Sequence, residues 1–191
     1  MRCKTGYCIF IAFLCSCNSP DQPIIIKDPA AGKTQGIIPA PTPDSSEFVT
    51  TIPTGNTTPD ELVTYAKTLT GIPYKYGSTN PAEGFDCSGF ITYVFNHFEI
   101  AVPRRSMDFT YVHHEIPLNE AKTGDLVLFT GTDSTVREVG HMGIILATPG
   151  HELAFIHSTS GKAKGVTETP LNSYYMGRYV KTVRIFAQNE R

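Results

Sequence analysis

Hydrophobic and polar positions between residues 58 and 188 fall into two helical stretches followed by strands. Thr58-Pro59-Asp60-Glu61 sets a capping residue, a proline and two acids at a helix start. Leu62, Val63, Ala66 and Leu69 then recur at helical spacing until Gly71 stops the run. Asp86 opens a second helix, with Phe90, Ile91, Val94 and Phe95 as its apolar stripe. A third, short helix is predicted from Ser106. Apolar runs at 125–129, 141–146 and 153–157 read as strands, the last two joined through Thr148-Pro149-Gly150 as a hairpin. Residues 179–186 alternate and return to the sheet. Helices first and strands afterwards predict an α+β domain, its N-terminal helices packed on an antiparallel β-sheet.

The front of the chain follows a different pattern. Arg2 and Lys4 precede a short apolar run, Tyr7 to Leu14. That run is too short for a membrane-spanning helix of roughly 20 residues, and it reads as an export signal. Leu14-Cys15-Ser16-Cys17 fits a bacterial lipobox, in which the cysteine is acylated after cleavage. The expected organisation is a lipoprotein signal peptide at 1–16, a Pro-rich tether at 17–57 and a folded domain at 58–191. Pro20, Pro23, Pro29, Pro39, Pro41, Pro43 and Pro53 keep the tether extended. Asn18, not aspartate, follows Cys17. The expected location is the bacterial cell envelope, lipid-anchored and facing the periplasm, at the outer rather than the inner membrane.

Charge narrows the function classes. The formal net charge is −2 and no basic cluster occurs, so nucleic acid is not an expected partner. The only expected membrane contact is the lipid anchor, and a monomer is expected.

Cysteine usage points to chemistry. Four of the five cysteines lie in the first seventeen residues, which leaves Cys87 as the one thiol of the folded part. An unpaired thiol is unusual in an exported protein. Cys87 stands at a helix start among Gly84, Asp86, Ser88 and Gly89, polar or tiny neighbours that suit a nucleophile better than a core position. Helix N–H groups and a nearby histidine would lower its pKa. Of six histidines, His97 reads as surface, His113 and His114 lie in a polar segment, and His151 lies in the hairpin loop. His141 begins one hairpin strand and His157 ends the other, so both face the same end of the sheet. That geometry suits a Cys-His-polar triad. A zinc site on Cys87, His141 and His157 is the rival, although no CxxC or HExxH spacing supports it, and no metal is expected.

The stretch from Gly71-Ile72-Pro73 and Tyr74 through Phe90 resembles the first block of the NlpC family of cell-wall cysteine peptidases, a papain-like group. Val102-Pro103-Arg104-Arg105-Ser106, Lys122 to Phe129, Val139-Gly140-His141-Met142-Gly143-Ile144 and Phe155 to Ser160 resemble its later blocks, in order. The segment Tyr175 to Ile185 resembles the C-terminal end of its lipoprotein members. The resemblance implies the papain-like NlpC-type fold, with Cys87 as nucleophile, His141 as base and His157 as its orienting group. Tyr74 resembles the tyrosine on the oxyanion side, with Tyr76 as a rival. Asp86 and Ser88 resemble residues that hold the free amino end of a substrate peptide in some members and only brace the site in others. Departures are Ser78 in place of a glycine, Phe109 in place of a glutamine, and a long hairpin that brings His151 towards the cleft.

The implied activity is hydrolysis of peptidoglycan stem peptides, at the bond from γ-D-glutamate to the diamino acid, through a thioester acyl-enzyme and without a cofactor. An N-acetylmuramoyl-L-alanine amidase, an acyltransferase on the same residues and a non-catalytic wall-binding module are the alternatives.

Overall fold

The computed structural model describes residues 50–148 and 150–190, all within one compact unit spanning Pro43–Arg191. Helix α1 (Pro59–Thr68) starts on a reciprocal capping box. The Glu61 N–H donates to Thr58 Oγ1 and the Glu61 carboxylate accepts from the Thr58 N–H. Its Leu62, Val63 and Ala66 are buried. Helix α2 (Cys87–His97) is capped by Asp86, whose carboxylate accepts from the Gly89 N–H. Phe90, Ile91, Val94 and Phe95 form its buried stripe.

A two-stranded ribbon, β1 (Thr79–Asn80) and β2 (Gly84–Phe85), leads into α2. The main sheet holds β3 (Glu115–Ile116), β4 (Leu126–Thr130), β5 (Val139–Leu146), β6 (Ala154–Thr159), β7 (Gly165–Pro170) and β8 (Tyr179–Val183). Its order is β3-β8-β4-β5-β6-β7, and every pairing is antiparallel. The expected α+β architecture is therefore present, and Ser106–Tyr111 forms a short 3₁₀ helix where a third helix was expected.

The sheet is covered on both faces. Leu126, Leu128, Met142, Ile144 and Ile156 join the α1–α2 core. Val127, Phe129, Ile145 and Phe155 pack against Leu171 and Tyr175, the latter on the short helix α3 (Ser173–Met176). Burial on both faces accounts for the unbroken apolar run of β4.

Three sequence expectations change here. Strand β7 is an edge strand of Thr, Glu and Pro with one large buried apolar side chain, Val166, and apolar patterning gave no sign of it. Residues 50–57, the end of the expected tether, belong to the folded unit. Ile52 is buried in the core, Thr50 O accepts from the His113 N–H, and Thr57 O accepts from Gln188. Phe109 is a fully buried core residue, so its aromatic ring serves packing rather than the cleft. The signal segment, Cys17 and the tether ahead of Thr50 lie outside the described residues.

Candidate active site

Four elements meet at the sheet end where β5 begins and β6 finishes. Cys87 occupies the first position of α2, where helix N–H groups lack carbonyl partners. The close approach needs Gly89, because a Cβ there would collide with the Ser78 carbonyl oxygen. That carbonyl also accepts from the Asp86 N–H, 3.1 Å away. Ser78 is tolerated in place of glycine because the left-handed residue of the loop is Gly77, at φ +74°.

His141 sits opposite Phe129 in the β4–β5 ladder, and its ring stacks with those of Phe129 and Tyr175. Its Nε2 lies 2.7 Å from Nδ1 of His157. His157 Nε2 lies 3.0 Å from Oγ1 of Thr169 on β7. The chain His141–His157–Thr169 thus crosses three adjacent strands. Thr169 escaped sequence reading because its strand did.

Cys87, Tyr74, His141 and Thr169 all line one cleft of about 890 Å³. Tyr74 is half-buried and lines the cleft, while Tyr76 is 86% exposed and is not among its lining residues. His151 also stays away. It is exposed in the β5–β6 turn, at the opposite end of those strands from His141 and His157. His97 stacks on Tyr65 at the surface and His114 pairs with Glu190. A second, shallower groove of about 530 Å³ beside Pro59, Lys122 and Leu153 is lined by neither cysteine nor histidine.

Asp86 and Ser88 form a brace behind the nucleophile. Both Asp86 oxygens are engaged: Oδ2 accepts from Arg104 at 2.8 Å, and Oδ1 accepts from Arg104, Ser88 and the Gly89 N–H. Arg104 forms an ion pair with Asp86 at 2.8 Å and also donates to Ser88 at 2.9 Å. Of the two expected roles these contacts are those of a brace, and Arg104 is the partner that sequence reading did not assign.

Electrostatics correct a second expectation. Burial, followed by the negative charge of Asp86, pushes the Cys87 thiol up to about 11. The backbone N–H groups of Ser88 and Cys87 and the Arg104 charge pull the other way and are outweighed. The helix N-terminus is present, but the sulfur is too desolvated for it to prevail. The thiol points to the Gly140 carbonyl oxygen at 3.8 Å, an acceptor that favours S–H over S⁻. His141 is held well below the usual histidine range by burial, then by His157 and Arg178. Burial and Arg178 bring His157 to about 3. At neutral pH the resting site is an uncharged thiol beside uncharged imidazoles. Burial first, then the neighbouring Cys87 and Asp86, raise Tyr74, which keeps its phenol a donor.

The facing nitrogens of the two histidine rings bond to each other, and the outer one of His157 bonds to Thr169. Among the described residues no group of three His, Cys, Asp or Glu side chains has a metal-binding arrangement.

Two neutral buried histidines predict acid sensitivity. The unfolded chain binds protons from about pH 6.5 downwards, while the folded chain does not until near pH 3 at His157. Their contribution is complete above pH 6.5 and is lost as pH falls, by about 1.4 kcal/mol per histidine per pH unit. Urea midpoints measured from pH 7 to pH 4 should fall less steeply for His157→Gln than for the wild type. Equal slopes would show that His157 is not held neutral.

Comparison with known proteins gives the family. Residues 71–185 match the NlpC/P60 family. The chain belongs to that family. Over 132 residues it is 33% identical to the gamma-DL-glutamyl hydrolase of Bacillus subtilis (strain 168), covering 69% of this chain and 31% of that protein. Over 125 residues it is 39% identical to the probable peptidoglycan endopeptidase LytE of the same organism, covering 65% and 34%. It therefore spans about a third of the length of these relatives. A crystal structure of an NlpC/P60 family protein from Bacillus cereus ATCC 10987 superposes with a TM-score of 0.60 at 27% identity, covering 69% of this chain and 41% of that one. The family and fold indicated by the sequence motifs are those that the comparisons give.

Proposed function

We propose that this NlpC/P60 protein is a cell-wall hydrolase, a cysteine endopeptidase that cleaves peptidoglycan stem peptides at the γ-D-glutamyl–diamino acid bond. The observation that carries the reading is the placement of Cys87 at a helix N-terminus in one cleft with the His141–His157–Thr169 chain. The names of the two relatives support the substrate class.

The neutral resting pair dictates the order of proton transfer. As the Cys87 sulfur swings from Gly140 O towards the ring of His141, its proton passes to Nδ1 and the sulfur adds to the peptide carbonyl carbon. Nδ1 is free to accept only if Nε2 carries the other proton and donates to His157 Nδ1. His157 must then carry its proton on Nε2 and donate to Thr169 Oγ1. Thr169 as an acceptor therefore sets both tautomers. The oxyanion is met by the Cys87 backbone N–H and the Tyr74 phenol. His141 protonates the leaving amine, a thioester remains on Cys87, and water deprotonated by His141 releases the acid. Mass spectrometry of muropeptide digests tests the assignment. It predicts a new amine on the diamino acid, whereas a free lactyl carboxylate would indicate the amidase alternative.

The lipobox-like Leu14-Cys15-Ser16-Cys17 supports anchoring in the cell envelope through an acylated Cys17, at the outer membrane where two membranes exist. Cells fed labelled palmitate should incorporate it into the wild type, and Cys17→Ala should lose the label and leave the membrane fraction. A labelled Cys17→Ala protein would contradict the anchor.

A further inference from the structure

The cleft contains a buried cation without a counter-ion. Arg178 is 8% exposed and lines the cleft beside His141 and Tyr175. Its Nη1 donates to Tyr174 Oη and its Nη2 to Thr130 O, each at 2.8 Å. Its Nε is buried and has no hydrogen-bond partner. The guanidinium lies 5.1 Å from the Tyr174 ring centroid and 5.8 Å from that of Tyr175. These are neutral acceptors and π faces, and among the described residues no carboxylate pairs with it. Arg184 is equally buried and is paired with Asp125 at 3.2 Å, and Arg104 has Asp86. An unpaired buried charge is costly, so its presence here asks for an anion from outside the fold.

The rest of the cleft points the same way. Its charged lining residues are Arg178 and Lys162, with no aspartate or glutamate among them, although the whole chain is net negative. Arg178 also works against the base it adjoins, since its charge lowers the proton affinity of both His141 and His157. An anion bound to Arg178 would cancel that effect at the moment His141 has to take a proton.

We propose that Arg178 is the anion-recognition residue of the cleft, binding a free carboxylate of the substrate beside the scissile bond through its uncommitted N–H groups. The inference rests on the stem-peptide reading given above. A γ-linked glutamate keeps its α-carboxylate free next to the bond cut, and a diamino acid can carry a second free carboxylate on the other side. Guanidinium geometry suits either one.

The test compares kcat/KM on three L-Ala-γ-D-Glu-diamino acid peptides. One is unmodified, one has the glutamate α-carboxylate amidated, and one has the free carboxylate of the diamino acid amidated. The wild type should lose about 10- to 100-fold on one amidated peptide, as expected for a charge-assisted hydrogen bond, and the arm affected identifies the carboxylate. Arg178→Gln should remove that difference, and Arg178→Lys should restore part of it. Equal cleavage of all three peptides by the wild type overturns the proposal. So does an unchanged ratio in Arg178→Gln or, should that variant not fold, in Arg178→Lys. A uniform loss on all three peptides in Arg178→Gln assigns Arg178 to structure alone and also overturns it. Failure of the wild type to cut any of them refutes the stem-peptide reading instead.

Discussion

Cys87→Ala is expected to lower kcat/KM on stem peptides by roughly 10⁴- to 10⁶-fold, the range found when a covalent nucleophile is removed. Among the described residues Cys87 is the free cysteine, and the thiol lies in the cleft beside the histidine chain. Its side chain supports no core contact that alanine would leave empty on a large scale, so the variant should fold with near-native stability. Cys87→Ser should be nearly as inactive, because a hydroxyl is a weaker nucleophile and His141 is a weakened base here. Iodoacetamide should inactivate the wild type slowly at pH 7 and faster as pH rises towards the thiol pKa of about 11. A Cys87→Ala protein with wild-type turnover would remove the nucleophile from the account.

His141→Ala is expected to cost roughly 10³- to 10⁵-fold. A neutral thiol attacks poorly, and among the described residues His141 is the histidine that lines the cleft with Cys87. The losses should be graded along the hydrogen-bonded chain. His157→Ala should cost less than His141→Ala, since His157 is proposed as a positioning residue that fixes tautomer and ring. Thr169→Val should cost about tenfold in kcat with little change in KM, while Thr169→Ser, which keeps the acceptor, should stay near wild type. If Thr169→Val and Thr169→Ser were indistinguishable, the hydroxyl would have no part in setting the tautomers.

Much of this site was legible in the chain. Caps and periodic apolar residues located α1 and α2, and the position of Cys87 followed from them. His141 and His157 were placed at one end of the sheet because strand ends can be read from apolar runs and turns. The partners of these residues were less visible. Thr169 lies on an edge strand of Thr, Glu and Pro with Val166 as its one large buried apolar residue, so no apolar alternation marks it. Arg104 stands eighteen positions after Asp86, and only the folded chain brings the two together. The direction of the Cys87 shift was misread for a related reason. Sequence shows a helix start, which favours the thiolate, and the adjacent Asp86, but not the burial that contributes most to the opposite shift. Likewise Ile52 looked like tether because seven prolines between 20 and 53 dominate its surroundings, yet its side chain enters the core.

The central claim is that the acyl group passes through Cys87. It is tested most directly with a stem-peptide analogue in which an ester replaces the scissile amide, so that a fast leaving group makes deacylation limiting. Acid quenching during turnover, followed by mass analysis of the digested protein, should find the glutamyl acyl group on the peptide that contains Cys87, removable by hydroxylamine as a thioester. Ester consumed at full rate with Cys87 unmodified throughout would contradict the account.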